Sequence, residues 1–206
     1  TASLRAMQKS ILITGCSSGI GLDAARTLKA QGWRVFASCR QEADCEILRG
    51  EGVDSPRIDY TDPDSIRNGL AEVLEATGGT LDALFNNGLH QLNGLVEDMP
   101  TDGLRAIFEA GFFGWHDLTR QIIPVMRAQG HGRIVQCSSA LGFTYYKYRG
   151  AYAATKPSRE ALRDTMRLEW HGTGIEVSIL EPGPITTAFR VKGIPWFERF
   201  VDWRKS

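Results

Sequence analysis

Short apolar runs alternate with longer amphipathic segments along most of the chain. A short apolar run predicts a buried strand, whereas apolar residues spaced about 3.6 apart predict a helix with one buried face. The pattern predicts six strands, at residues 10–14, 34–38, 57–59, 81–85, 133–137 and 176–180. It also predicts helices at residues 21–31, 42–50, 62–77, 101–129 and 152–172, with a bend in the helix at 101–129 at Gly111, Gly114 and Pro124.

Regular alternation of strand and helix is typical of an α/β fold. Parallel strands joined by right-handed helical crossovers form a doubly wound sheet with helices on both faces. We expect one domain over residues 1–206, since no linker or repeat divides the chain. Ligands of such sheets bind beyond the carboxyl ends of the strands. Glycine, hydroxyl, amide or turn residues follow all six predicted strands, which indicates a ligand site there.

The charge balance argues against a nucleic-acid or membrane partner. Lys and Arg together number 24, as do Asp and Glu, so the formal net charge is zero. The cysteines, at positions 16, 39, 45 and 137, form no metal-binding spacing, and we expect reduced thiols in a cytoplasmic protein. No apolar run approaches the roughly 20 residues of a membrane span.

Residues 14–21 (TGCSSGIG) place Gly15, Gly19 and Gly21 between the first strand and the first helix. Glycines let backbone approach a pyrophosphate closely, and the helix N-terminus supplies free amide donors. A tight turn that needs glycine only for its geometry is the alternative.

The end of the second strand bears on the choice between NAD and NADP. An NAD site usually has a carboxylate there for the ribose diol. This chain instead carries Arg40, whose guanidinium can pair with a 2′-phosphate. The residue favours NADP(H) over NAD(H), unless Arg40 is only a solvated loop charge.

Tyr152 and Lys156 are four residues apart, which places them on one face of the last predicted helix. A nearby cation favours the phenolate and lowers the pKa of Tyr from about 10. A Tyr of this kind exchanges a proton with a carbonyl or an alcohol near neutral pH. For this pair alone, an ordinary helix surface is the alternative interpretation.

Taken in order, these motifs resemble the short-chain dehydrogenase/reductase family over residues 9–190. The motifs that carry the resemblance are the glycine loop, Asp59, residues 85–88 (FNNG), Ser139, Tyr152, Lys156, and the turn at Pro182 and Gly183 with Thr186 following. The resemblance implies a Rossmann-like sheet with the strand order 3-2-1-4-5-6.

The resemblance also implies an oxidoreductase that interconverts a ketone or aldehyde and an alcohol by hydride transfer. Tyr152 would be the acid/base, Ser139 would hydrogen-bond the substrate oxygen, and Lys156 would lower the pKa of Tyr152 and hold the nicotinamide ribose. Asp59 would contact adenine, and Ile185 would help to fix the carboxamide. The implied cofactor contacts are Gly15, Ser17, Ser18, Gly19, Ile20, Gly21, Arg40, Asp59, Tyr60, Asn86, Asn87, Gly88, Tyr152, Lys156, Pro182, Gly183, Ile185 and Thr186.

Two alternatives to this enzyme stay open: a related nucleotide-binding sensor or scaffold without catalysis, and, less favoured, a sugar-nucleotide epimerase. The expected partners are a small, apolar carbonyl or alcohol substrate and further copies of the chain, as a homodimer or homotetramer. The sequence indicates no metal site.

Three departures from the family bear on this prediction. Gly111 stands where the family has an Asn that holds a relay water, and Pro157 directly follows Lys156. We expect slower proton relay from the first and a tilt of Tyr152 from the second. The chain also stops at Ser206, and we expect a seventh strand and part of a substrate lid to be missing, with strand six as an unpaired edge.

Two aromatic groups have no role in these motifs. One group lies between Ser139 and Tyr152, where a substrate-pocket wall is expected, and comprises Phe143, Tyr145, Tyr146 and Tyr148. The other, with helical spacing, comprises Trp196, Phe200 and Trp203. It predicts an amphipathic helix that packs on the core or a partner subunit, or else a lid that contacts substrate.

Overall fold

A five-stranded parallel sheet organises the computed structural model, which describes residues 8–202 and residue 204. Its strands are β1 (Ser10–Thr14), β2 (Arg34–Ser38), β3 (Ala83–Asn86), β4 (Gly132–Cys137) and β5 (Ile175–Leu180). They lie in the order β2-β1-β3-β4-β5, and every neighbouring pair is parallel. This arrangement confirms the doubly wound α/β class, and β5 forms one edge of the sheet.

The predicted strand at residues 57–59 is not formed. Among the described residues, only two isolated bridges form here: Asp54 pairs with Phe36 of β2, and Arg57 pairs with Cys39 just after β2. Pro56 has no N–H to donate to a ladder, and the Asp59 amide instead donates to Ser65 Oγ at 2.9 Å. The stretch still lies beside β2, where the predicted strand order places it.

Helices cover both faces of the sheet. Within the described residues they are α1 (Gly19–Ala30), α2 (Glu42–Gly50), α3 (Pro63–Thr77), α4 (Thr101–Phe108), α5 (Gly114–Gln129), α6 (Gly150–Glu169), α7 (Phe189–Lys192) and α8 (Ile194–Phe200). The start of α3 follows from its sequence, because the Asp62 side chain accepts hydrogen bonds from two free amides of the first turn. No helix among residues 8–202 is long and apolar enough to cross a bilayer.

The helix predicted at residues 101–129 is divided by a π-helical turn, Glu109–Phe113, between α4 and α5. Gly111 lies in this turn and Gly114 directly follows it, as the expectation of a bend required. Pro124, by contrast, lies inside α5, which continues through it. The wider π turn re-aims the backbone beside the cleft described below, and Ala110 lines that cleft.

The main core fills the space between the sheet and its helices, and all five residues of β1 are buried. A smaller cluster of Leu92, Ile107 and Ala151 packs against Trp196 and Phe200 of α8. The described part of the C-terminal aromatic segment is therefore a helix packed on the protein, and its Trp196 also lines the cleft described below, so the lid interpretation stays open. Trp203 lies outside the described residues.

Candidate active site

The carboxyl ends of the strands open into one cleft with a volume of about 1000 Å³. Most of the predicted site residues line it: Gly15, Ser17, Ser18, Gly19, Ile20, Arg40, Asp59, Tyr60, Asn87, Gly88, Ser139, Tyr152, Lys156, Pro182, Gly183 and Ile185. The parallel sheet brings these residues together because its strands all end at the same edge.

The structure does not place three predicted cofactor contacts on the cleft wall. Asn86 is fully buried beneath it, where its Oδ1 accepts from the Tyr60 hydroxyl at 2.7 Å and its Nδ2 donates to Thr119 Oγ1 at 2.9 Å. A Cβ at Gly21 would lie 2.6 Å from the Gly15 carbonyl oxygen. Glycine at this position therefore allows α1 to pack closely against the glycine loop. Thr187 lines the cleft in place of Thr186.

Hydrogen bonds and close packing hold the glycine loop after β1 against the loop after β3. Thr14 Oγ1 accepts from the amides of Asn87 and Gly88 at 2.9 and 3.1 Å. Gly15 has a φ of +70°, and a Cβ there would lie 2.5 Å from Gly88 Cα. The first glycine is thus required by the protein's own packing. Gly19, with a φ of +63°, instead faces Thr187 across the loop.

Ser139, Tyr152 and Lys156 line the same cleft as Arg40. Ser139 follows β4, and its hydroxyl interacts with the Tyr152 phenol. Tyr152 and Lys156 lie one turn apart in α6, and the Lys156 ammonium is 4.2 Å from the centroid of the Tyr152 ring. Tyr152 and Lys156 are therefore paired as their spacing predicted, and Ser139 lines the same cleft.

The expected pKa shift of Tyr152 is wrong in direction. Burial raises the pKa of Tyr152 to about 12, and the nearby charge of Arg159 and the hydrogen bond from Ser139 only partly oppose this rise. Burial, with the Arg159 charge, also lowers the pKa of Lys156. Near neutral pH the Tyr152 phenol is therefore protonated and is poised to donate a proton.

Arg159 is a component of this site that the sequence interpretation missed. Its guanidinium is almost fully buried, lies 4.0 Å from the centroid of the Trp115 ring and donates to the carbonyl oxygens of Cys137 and Thr155. These bonds connect the end of β4 to α6 and so support the relative positions of Ser139 and Tyr152. The helical spacing of residues 152, 156 and 159 is the signal that could have revealed it.

The departures at positions 111 and 157 have different outcomes. A Cβ at Gly111 would lie 2.7 Å from Leu89 Cδ1, so the apolar Leu89 side chain occupies the space beside this glycine. Pro157 lies inside α6, which runs without interruption from Gly150 to Glu169. Tyr152 and Lys156 remain on one face of this helix.

In the same cleft, a stacked pair of rings lies beside Arg40. His90 and Trp196 stack with centroids 3.6 Å apart, and the Arg40 guanidinium lies 5.4 Å from the Trp196 centroid. Burial, followed by the Arg40 charge, lowers the pKa of His90 to about 3, so the imidazole is neutral. Its buried Nε2 finds no hydrogen-bond partner among the described residues. A polar ligand in the cleft would satisfy that atom.

The sequence interpretation gave His90 no chemistry, although its position just after Gly88 places it at a strand end. The aromatic residues between Ser139 and Tyr152 contribute less than expected to the cleft. Tyr146 lines it, but Phe143, Tyr145 and Tyr148 do not, and all four are more than half exposed.

Comparisons with known proteins agree with this fold. A family profile described as short chain dehydrogenase matches residues 9–196. The uncharacterized oxidoreductase YbbO of Escherichia coli is 43% identical over 185 residues, which cover 90% of this chain and 69% of that protein. A short-chain dehydrogenase from Streptomyces avermitilis has 33% identity and a TM-score of 0.82, over 90% of this chain and 68% of its own.

Structural neighbours have been solved with both types of nicotinamide cofactor. Actinorhodin polyketide ketoreductase with NADPH has 30% identity and a TM-score of 0.81, over 87% of this chain and 72% of its own. Others were solved with NAD, NADH or NADP+. The solved neighbours thus include complexes with NAD(H) and complexes with NADP(H).

Proposed function

The chain belongs to the short-chain dehydrogenase family, and we propose that it is an NADP(H)-preferring oxidoreductase that interconverts a ketone or aldehyde and an alcohol. The observation that carries this proposal is that Ser139, Tyr152 and Lys156 line one cleft together with the glycine loop and Arg40. A nucleotide-binding scaffold would have no need of a serine hydroxyl, a phenol and an amine grouped in this way.

In the direction of reduction, the Ser139 hydroxyl and the Tyr152 phenol both hydrogen-bond the substrate carbonyl oxygen. Tyr152 then donates its proton as negative charge develops on that oxygen. Lys156, together with Asn87 and the glycine loop, would hold the dinucleotide. The dinucleotide, when bound, supplies the hydride.

The preference for NADP(H) rests on the end of β2. Ser38 and Cys39 are buried there, and the first exposed side chain is the cation of Arg40. A guanidinium pairs well with a phosphate and has no acceptor for the ribose diol of NAD. The substrate is proposed to be apolar, and assembly into a homodimer or homotetramer and a cytoplasmic location stay predictions.

The proposed activity is tested with NADPH and NADH against a panel of aliphatic and aromatic ketones and aldehydes. Loss of NADPH absorbance with at least one carbonyl is expected, with kcat/KM at least about tenfold higher for NADPH than for NADH, since one charge-assisted contact contributes roughly this factor. Tight NADPH binding without turnover on any carbonyl would instead favour the sensor or scaffold.

Carbonyl reduction is expected to keep its rate at high pH. A proton donor is active below its pKa and becomes inactive as pH rises through it, and the pKa of Tyr152 is raised to about 12. The kcat of reduction should therefore stay within about twofold from pH 7 to about pH 10. Circular dichroism at each pH controls for unfolding. A decline centred near pH 7 or 8 would show that the functional Tyr152 has a lowered pKa instead.

A further inference from the structure

The segment that follows β5 crosses the glycine loop and contacts it through Lys192. The Lys192 ammonium, at the end of α7, donates to Ser17 Oγ at 2.9 Å and lies 3.4 Å from the Ser17 carbonyl oxygen. Thr187, earlier in the same segment, packs against Gly19. A cation from a distant part of the chain is therefore placed over the loop that the proposed dinucleotide would contact.

The Lys192 charge also lies near the end of β2. Burial raises the pKa of the Cys39 thiol to about 12, and the Lys192 charge opposes that rise. Cys39 directly precedes Arg40, which lines the same cleft as Lys192. The two cations thus line the same cleft, one just after β2 and one in the C-terminal segment.

Neither cation has a carboxylate partner within residues 8–202, where all ion pairs involve other residues. Asp44 and Asp59 line the cleft as well, and they disfavour an anion there unless the cations offset them. A phosphate monoester carries a charge of about −1.5 to −2 at pH 7 and has three acceptor oxygens. Such a group is better matched by two cations than by Arg40 alone.

We propose that Lys192 is a specificity-determining residue that binds the 2′-phosphate of NADP(H) together with Arg40 and the Ser17 hydroxyl. This inference rests on the proposed function, which requires the dinucleotide, and extends it by assigning a residue of the C-terminal segment to cofactor selection. NAD(H) has no phosphate at this position, so Lys192 discriminates between the two cofactors.

The same short helix also reaches the proposed catalytic residues. Phe189, at the start of α7, contacts the Tyr152 ring edge-on with the centroids 5.7 Å apart. Lys192 is the last residue of this helix.

The test is isothermal titration calorimetry of the whole chain with 2′,5′-ADP, 5′-ADP, NADPH and NADH. Lys192→Gln is expected to weaken 2′,5′-ADP and NADPH about tenfold and to change 5′-ADP and NADH less than about twofold, because only the first pair carries the 2′-phosphate. Lys192→Arg should restore most of the lost affinity. Arg199→Gln removes another exposed cation of the same segment and is the matched control, with no expected change.

Equal weakening of NADPH and NADH by Lys192→Gln would place Lys192 on the pyrophosphate and overturn the assignment. Unchanged affinity for all four probes, or no binding of 2′,5′-ADP by the unaltered chain, would also overturn it. These outcomes are separate from failure of the proposed function: selective loss of 2′,5′-ADP binding in a protein that turns over no carbonyl would refute the enzyme but support the role of Lys192.

Discussion

Tyr152→Phe is expected to lower kcat for carbonyl reduction about 1000-fold while NADPH affinity changes less than about threefold, since general acid catalysis contributes 10²–10⁴. The substitution removes only the hydroxyl that is proposed to protonate the substrate oxygen. The ring remains, and with it the contacts to Lys156 and Phe189. A loss confined to kcat would therefore identify the proton donor.

The measurement combines steady-state kinetics with a fluorescence titration of NADPH. Tyr146→Phe is the matched control, because Tyr146 also lines the cleft but is 69% exposed and far less enclosed than Tyr152. Its kcat should stay within about threefold of the unaltered protein. Full turnover by Tyr152→Phe would refute the proposed mechanism, whatever the cofactor.

Gly114→Ala is expected to lower the free energy of unfolding by about 3 kcal/mol, at the upper end of the usual cost of overpacking. A Cβ at Gly114 would lie 2.5 Å from Tyr60 Cβ and 2.8 Å from Tyr60 Cα. Backbone atoms cannot move aside as the end of a flexible side chain can. Since the Tyr60 hydroxyl also bonds Asn86, displacement of Tyr60 would disturb the supports beneath the cleft.

Urea unfolding followed by circular dichroism measures this change. Gly50→Ala is the control: Gly50 ends α2, and a Cβ there meets no atom within 4 Å. Ala at a helical position should be neutral or stabilise by up to about 1 kcal/mol. A loss below 1 kcal/mol for Gly114→Ala would mean that α5 can shift away from Tyr60.

Periodicity predicted the elements with strong local signals. The strands of the central sheet, the helix that begins at Asp62 and the helix that carries Tyr152 and Lys156 all follow from apolar spacing or from local turn and cap residues. The stretch at residues 57–59 was predicted wrongly because its apolar content is short and Pro56 removes a ladder donor. The π turn at Glu109–Phe113 has no sequence period of its own and was predicted only as a bend.

The sequence by itself determined the type of fold, the edge of the sheet where the site lies, and the pairing of Tyr152 and Lys156 on one helix face. These depend on order along the chain and on helical spacing, which are local properties. Only the tertiary structure decided the burial that raises the pKa of Tyr152, the place of Asn86 beneath the cleft, and the contact of Lys192 with Ser17. Burial and the approach of residues 175 positions apart depend on how separate elements pack, and no local pattern encodes them.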